Sequence, residues 1–376
     1  MLKFHLVLDT NIYRKSPKRK DLAFLALERL AKTGLAEVHL PYVVEREFQT
    51  QQVAQYKKET DASIGGLESL AKKGLEPAQL AVVQGLLTTL KATVPAIVAA
   101  TEQALPNWIA SIGGKRHPIT EAQAIAAMEA YFLGLAPLKA AKIRDDIPDS
   151  FIFQVISELA KTNMPLVVVA EDEKIAQASE ALTGVSVYRS LSGFIESQSV
   201  QAELLDLDII KNLPSLLKTI ESYEQSDGRI ALLLEHKGGD ALVWKTVHSP
   251  SIPDDNHEAT ITGYYDPADI DLKFDELNYF GYGEFGLPFT FTAKVSITYY
   301  IFKSDYFCLD EKKMPSVSDH NDHYYEAEGD IEVEVSGVVK LSFDPAELKT
   351  LTEENIDEHI SIDIDSIDDV TVQEEY

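Results

Sequence analysis

Short apolar runs that end at acidic or polar residues are the most regular pattern in the first half of the chain. Leu6-Val7-Leu8 runs directly into Asp9, and residues 166–170 (Leu-Val-Val-Val-Ala) run into Glu171-Asp172-Glu173. Such runs are typical of strands buried on both faces, as in a parallel sheet that helices cover. Helical spacing of apolar residues separates them, for example over 22–32, where Gly34 ends the helix. The pattern predicts an α/β first half.

Two acids, Asp9 and Asp172, lie at the predicted strand ends, and ligand chemistry in parallel sheets gathers at the carboxyl ends of the strands. A second short strand, residues 36–40, precedes Pro41, which suits the first turn of a helix. That helix contains Glu45 and Glu47, and only Glu47 shares a face with the apolar positions of the first turn. We therefore expect Glu47, rather than Glu45, to join Asp9.

A fourth acid begins a later helix. The segment Asp146-Ile147-Pro148-Asp149-Ser150-Phe151 predicts a helix start with Asp146 as the N-cap. Asp149 then falls in the first turn, on the face of Ile152 and Ile156.

These motifs together resemble the PIN-domain nucleases: an apolar strand ending Asp-Thr-Asn, a Pro-x-x-Val-x-x-Glu helix, a Pro-Asp helix start and a strand followed by an acid. The chain is most similar to the bacterial PIN-like subgroup with a long helical insertion, which Tyr131-Phe132 and Pro137-Leu138-Lys139 also match. The resemblance implies a catalytic, metal-binding cluster of Asp9, Glu47, Asp149 and Asp172, with Thr10, Asn11 and Asp146 as polar neighbours. Glu171 and Glu173 depart from the usual pattern, so which acid of 171–173 points inward stays open.

The residue types agree with that chemistry, because carboxylates held together repel one another unless protons or cations compensate. Mg²⁺ and Mn²⁺ are hard cations that prefer oxygen ligands, so either ion would offset the repulsion between the carboxylates. Such an ion can also activate water for displacement at a phosphoryl group. The resemblance implies cleavage of phosphodiester bonds, usually of RNA, that leaves a 5′-phosphate and a 3′-hydroxyl; single-stranded DNA is the other possible substrate. Basic residues flank the acids and are candidates for phosphate binding: Arg14, Lys15, Lys18, Arg19, Lys139 and Lys142. Alternatively, Arg14, Lys15, Lys18 and Arg19 are simply solvent-exposed residues around a helix start. That interpretation is the favoured one for Lys115 and Arg116.

Charge divides the chain. Residues 1–200 hold 22 basic and 22 acidic residues, so the whole net charge of −27 falls in residues 201–376. We expect a PIN-like nuclease domain over 1–200 with a helical insertion at about 49–143, a helical connector over 201–225 and an acidic β-rich domain over 226–376. The insertion is either a substrate-selecting lid or a buttress or dimer contact.

Alternating apolar and polar residues predict strands in the acidic part, most clearly over 289–301 and 331–335, with shorter ones over 230–234, 241–247 and 259–264. Successive strands without helices indicate a sandwich-like or curled sheet. The tail alternates Ile360, Ile362 and Ile364 with acids, as an edge strand does. Aromatics at 279–285 are interpreted as core rather than a base-stacking platform, and 319–323 (Asp-His-Asn-Asp-His) as a loop rather than a metal site.

Composition bears on where the protein acts and on whether it contacts a membrane. The chain of 376 residues has one cysteine, Cys308, too little apolar length before Asp9 for a signal peptide, and no run of about 20 apolar residues. We expect a cytoplasmic endoribonuclease acting as a toxin or defence effector, with no membrane contact. Its acidic domain would bind a basic partner or cover the nuclease cleft, or merely solubilise the chain; a homo-oligomer is possible. The alternative is a non-catalytic PIN-like module that assembles with a protein partner.

Overall fold

The structure, a computed structural model of the chain, describes residues 4–138, 140–141, 147–162, 165–208, 213–309, 314–349, 351–352 and 354–373. The chain forms two compact units, the first ending at Ile195 and the second beginning at Glu196. This division lies five residues before the predicted end of the nuclease domain. The predicted connector, 201–225, belongs to the second unit.

A parallel sheet forms the centre of the first unit. Its strands are β1 (Phe4–Leu8), β2 (Ala36–Pro41), β3 (Lys115–His117), β4 (Leu166–Val169) and β5 (Val185–Tyr188), in the order β3-β2-β1-β4-β5. Every pairing in this order is parallel. The central strands β1 and β4 are buried, as their unbroken apolar runs predict.

Helices flank this sheet: α1 (Thr10–Lys15), α2 (Leu22–Lys32), α3 (Tyr42–Ala71), α4 (Pro77–Ser111), α5 (Glu121–Leu133), α6 (Ile147–Thr162), α7 (Glu173–Glu180) and α8 (Leu191–Ile195). Asp21 caps α2, whose bounds match the sequence prediction, and Gly34 follows with a φ of +77°. Thr120 and Gln123 form the predicted capping box of α5. The predicted PIN-like α/β fold is confirmed.

Two long helices, α3 and α4, form the core of the predicted insertion. They pack against each other, and Lys91 in α4 forms a 2.6 Å ion pair with Glu68 in α3. Most of their length is exposed, whereas Leu105 and Ile109 near the end of α4 are buried. Because α3 begins immediately after β2 and continues unbroken for 30 residues, the insertion is an extension of a core helix rather than a separate body.

By length and composition alone, α4 is apolar enough to cross a membrane. The sequence predicts no such segment, because it holds no run of about 20 apolar residues. Nearly all of the apolar window is exposed in this structure, and the C-terminal end of α4 packs on the core through Trp108, 5.6 Å from Phe24 between ring centroids.

The second unit begins with helices: α9 (Gln198–Asp208), α10 (Leu213–Asp227) and α11 (Arg229–Lys237). The strand predicted over 230–234 is wrong, because that segment lies in α11. Ile230 and Leu234 are buried four residues apart, as on one helix face, while Leu232 is 46% exposed. The carboxylate of Glu224 accepts hydrogen bonds from the backbone amides of Ile230 (2.8 Å) and Ala231 (3.0 Å), which satisfies the start of the helix.

An antiparallel sheet follows, and eight of its strands lie in the described part of the unit. They are β6 (Thr246–His248), β7 (Glu258–Tyr264), β8 (Ala268–Leu272), β9 (Asn278–Gly281), β10 (Glu284–Phe302), β11 (Ser316–Asp319), β12 (Tyr324–Ser342) and β13 (Ser361–Val372). Short helices α12 (Lys303–Tyr306) and α13 (Ile356–His359) and 3₁₀ turns at Phe274–Glu276 and Glu347–Lys349 interrupt them. β10 and β12 pair along 19 residues each, with apolar residues inward.

The predicted long strands and the β-strand tail are confirmed, and they belong to one connected sheet. The sheet curls, since Lys245 beside β6 places Nζ 3.3 Å from the carbonyl oxygen of Ile367 in β13. The run predicted over 241–247 is mostly turn, with a strand only from Thr246. Tyr279, Phe280 and Phe285 are buried, which supports the core interpretation of these aromatics.

Candidate active site

The carboxyl ends of β1 and β4 lie side by side and each leads into an acid. Leu8 pairs with Val169, and the backbone amide of Asp9 donates a 2.9 Å hydrogen bond to the carbonyl of Val169. Asp9 is the N-cap residue of α1, and Asp172 is the N-cap residue of α7. Parallel pairing therefore brings both predicted strand-end acids to the same edge of the sheet.

Asp9 is the most deeply buried acid of this group, with 5% of its surface exposed. The pKa of its carboxyl is raised from 3.8 to about 6, chiefly by burial, and the charges of Glu47 and Asp172 contribute to that rise. The backbone amides of Thr10 and Asn11 act in the opposite direction. Asp9, Glu47 and Asp172 thus form one electrostatically coupled cluster of acids.

Glu47 is held by the start of α1. The buried hydroxyl of Thr10 donates a 2.7 Å hydrogen bond to Glu47 Oε2. Glu45 has a different environment: it is buried and receives two 2.7 Å hydrogen bonds from the guanidinium of Arg116. Glu45 and Glu47 therefore point to different neighbours, and Glu47 is the one beside Asp9.

The three acids after β4 also separate. Asp172 Oδ1 accepts hydrogen bonds from the amides of Lys174 (2.8 Å) and Ile175 (3.1 Å) and lies close enough to Asp9 to raise its pKa. Glu171 forms a 2.5 Å ion pair with Lys15. Glu173 lies on α7 and forms a 3.1 Å ion pair with Arg189. The geometry thus favours Asp172 as the inward acid.

Asp149 lies in the first turn of α6 and is half-buried. α6 packs against α3, β4 and α7, the elements next to the other acids. Asn11 directs its side chain to Arg14, whose Nη1 donates a 3.1 Å hydrogen bond to Asn11 Oδ1. Asp146, the predicted helix cap, lies outside the described residues.

The basic residues after Asn11 differ in exposure. Arg14, Lys15 and Lys18 are exposed, and Arg14 and Lys15 contact Asn11 and Glu171, next to the acids. The prediction that Arg19 binds phosphate is wrong, because this residue is only 7% exposed. Its guanidinium lies 5.8 Å from the ring centroid of Phe48 and 5.6 Å from that of Trp108. It also donates a 2.8 Å hydrogen bond to the carbonyl oxygen of Pro17. It holds α3 and α4 to the core instead of facing solvent. Lys139 and Lys142 lie outside the described residues.

The donor set fits a hard divalent cation. Asp9, Glu47 and Asp172 supply carboxylate oxygens, and the charges of Glu47 and Asp172 add to the rise in the pKa of Asp9 that burial chiefly causes. Oxygen-rich sites of this kind suit Mg²⁺ or Mn²⁺. Asp149, in the first turn of α6, is the fourth acid that the sequence predicts for this site.

Sequence reasoning missed a second cluster in the same sheet, formed by His5, Glu37, His39 and His117. His5 Nδ1 lies 2.9 Å from His39 Nε2, and His39 Nδ1 lies 2.9 Å from His117 Nε2. Burial lowers the pKa of His39 to about 4. The alternation of Glu37 and His39 along β2 was visible in the sequence, but the register that brings His5 and His117 to them was not.

Comparison with known proteins agrees with this architecture. The family model described as PIN domain matches residues 6–174, which span β1 to the start of α7 and contain all four acids. Comparison with curated proteins gave no match, and neither did comparison with solved structures. PIN domains have nuclease-type, hydrolytic functions and generally depend on divalent metal ions. The first unit of this chain is therefore a PIN domain and belongs to the PIN-domain nuclease family.

Proposed function

We propose that the chain is a metal-dependent endoribonuclease whose catalytic acids are Asp9, Glu47, Asp149 and Asp172. The observation that carries this proposal is the buried carboxyl of Asp9 at the joined ends of β1 and β4, with Glu47 and Asp172 close enough to raise its pKa. A Mg²⁺ or Mn²⁺ ion held by these carboxylates would supply positive charge and an activated water for in-line attack on a phosphodiester.

The protein itself positions the acids and the substrate. Thr10 fixes one oxygen of Glu47, and the amides that begin α7 orient Asp172. Arg14 and Lys18, which are exposed in the segment that follows Asp9, would contact backbone phosphates of the substrate. Lys15 would contribute less, because its ammonium is paired with Glu171. The resemblance to the PIN-domain nucleases implies that cleavage leaves a 5′-phosphate and a 3′-hydroxyl.

The acidic second unit does not suit RNA binding, because the whole formal net charge of −27 falls after residue 200. We propose that this unit binds a basic protein partner or shields the nuclease cleft, as a cytoplasmic toxin or defence effector would require. Deletion of residues 196–376 tests this, with circular dichroism to verify that the first unit stays folded. If the deletion changed neither the cleavage rate nor the formation of a complex with a basic protein partner, the proposal would be contradicted.

Cleavage of labelled RNAs and single-stranded DNA with Mg²⁺ or Mn²⁺ tests the nuclease proposal. Asp9→Asn and Asp149→Asn are expected to abolish a metal-dependent cut of RNA. Glu173→Gln is the matched control, because Glu173 is an acid of the same segment that pairs with Arg189. A cut that survives both aspartate substitutions would refute the assignment and leave the non-catalytic binding module as the better interpretation. Faster cleavage of DNA would refute the choice of RNA.

A further inference from the structure

Three strands of the PIN-domain sheet carry the second cluster of metal-ligating residues noted above. His5 is on β1, Glu37 and His39 are on β2, and His117 is on β3. The register pairs His5 with Glu37 and His117 with Pro41, so the side chains run diagonally across one face of the sheet. Asp9 directly follows β1 and is four residues beyond His5, on the order of 13 Å away at about 3.3 Å per residue. The cluster is thus separate from the acidic site.

We propose that His5 Nδ1, His39 Nε2 and Glu37 Oε1 bind a divalent transition metal of the Zn²⁺ class. The three atoms lie 2.9 Å (His5 to His39), 3.3 Å (His39 to Glu37) and 3.9 Å (His5 to Glu37) apart. Ligands at 2.0–2.2 Å from a tetrahedral Zn²⁺ lie roughly 3.3–3.5 Å from one another. The spacing therefore accommodates the ion with shifts of a few tenths of an ångström.

The surroundings of His39 are those of a metal ligand. It is 1% exposed, and its other ring nitrogen, Nδ1, faces His117 Nε2 at 2.9 Å. A ligating histidine normally donates its second N–H to a neighbouring acceptor, which fixes the tautomer and the ring orientation. His117 therefore acts as a positioning residue rather than a ligand.

Glu37 Oε1 is a buried oxygen without a well-aligned hydrogen bond from the described residues. The nearest positive group is Lys115 Nζ, 2.8 Å away, on a side chain that is 60% exposed. A metal ion would replace this ammonium, which can turn outward into water. Two imidazoles and a carboxylate form a donor set that prefers Zn²⁺, Ni²⁺ or Co²⁺ to Mg²⁺, so the two sites select different ions.

Co²⁺ titration of the metal-free full chain, in the presence of millimolar Mg²⁺, tests the proposal through the visible absorption of coordinated cobalt. One equivalent is expected to bind, and Zn²⁺ is expected to displace it. His5→Gln and Glu37→Gln should each weaken binding by roughly 100-fold or more, since loss of an outer partner alone costs 10–100-fold. His117→Ala should weaken it by about tenfold, and Lys115→Met should strengthen it.

Asp9→Asn is the matched control, because it alters the acidic site and should leave the cobalt spectrum unchanged. His39→Gln is a further variant, but His39 is buried, so His5→Gln and Glu37→Gln decide the question if that variant does not fold. Failure of the wild-type chain to bind Co²⁺ or Zn²⁺ would overturn the proposal. So would binding that persists in both His5→Gln and Glu37→Gln. The readout is independent of nuclease activity.

Discussion

The hydroxyl of Thr10 donates a 2.7 Å hydrogen bond to Glu47 Oε2, and this contact joins the start of α1 to α3 across the acidic cluster. Thr10 directly follows Asp9, so the same turn of backbone holds two acids of the site.

Thr10→Val, which keeps the shape but removes the donor, should lower RNA cleavage by about tenfold or more, as loss of a residue that orients a ligand does. Thr10→Ser retains the hydroxyl and should keep most of the activity. Single-turnover rates at saturating Mg²⁺ provide the measurement. Equal rates for the valine and serine variants would show that the hydrogen bond plays no part in catalysis.

Asp9→Asn should stabilise the metal-free protein at neutral pH. The folded-state pKa of Asp9, about 6, is above its ordinary value of 3.8. Its favourable contribution to stability is therefore fully present below pH 3.8 and is lost as the pH rises through 6. The gain in the free energy of unfolding should reach at most about 3 kcal/mol at pH 7.5 and vanish near pH 4.

Urea unfolding in EDTA at the two pH values measures this difference. Glu59→Gln, at an exposed position of α3, is the control and should change stability at neither pH. A destabilised Asp9→Asn protein at pH 7.5 would contradict the burial argument.

Substitution of Glu47 should affect cleavage, whereas substitution of Glu45 should affect the stability of the fold. Glu47→Gln should reduce cleavage by roughly 100-fold or more with little effect on unfolding. Glu45→Gln should lower stability by about 2 kcal/mol, because it disrupts a paired, buried carboxylate whose partner Arg116 is half exposed. Thermal unfolding and cleavage rates of the two variants, measured side by side, distinguish them. The reverse pattern would mean that Glu45 is the catalytic residue.

Substitution of Lys18 should affect RNA binding, whereas substitution of its neighbour Arg19 should affect stability. Lys18→Gln should weaken RNA binding and reduce the slope of log K against log salt by about 0.7–0.9. Arg19→Gln should instead destabilise the fold by roughly 2 kcal/mol or more, since it removes the cation that stacks on Phe48 and Trp108. Fluorescence anisotropy over a salt series and thermal unfolding give the two readouts. A lower salt slope for Arg19→Gln than for Lys18→Gln would contradict the assignment.

Local patterns predicted β1, β2 and β4 because these strands are short, mostly apolar runs with an acid or a proline at the end. They did not predict β3, whose residues are Lys-Arg-His. The same patterns brought out Asp9, Glu47 and Asp172, since strand ends and helix faces follow from spacing alone. Arg19 was misjudged because its burial depends on Trp108, which is 89 residues away in sequence and reaches it only through α4.

Other features depended on long-range partners. Ile230 to Leu234 can form a strand or a helix by spacing, and the carboxylate of Glu224 that begins α11 comes from the preceding helix. His5, His39 and His117 meet only through the register of three strands, which no single segment specifies.

The uninterrupted course of α3 has a mechanical consequence. Glu47 lies in its second turn, and the tip at Ala71 is about 36 Å further along at 1.5 Å per residue. The helix connects them without an intervening loop, so a molecule that displaced the exposed end of α3 would also shift the segment that carries Glu47. The position of Glu47 relative to Asp9 is therefore coupled to contacts made at the far end of α3.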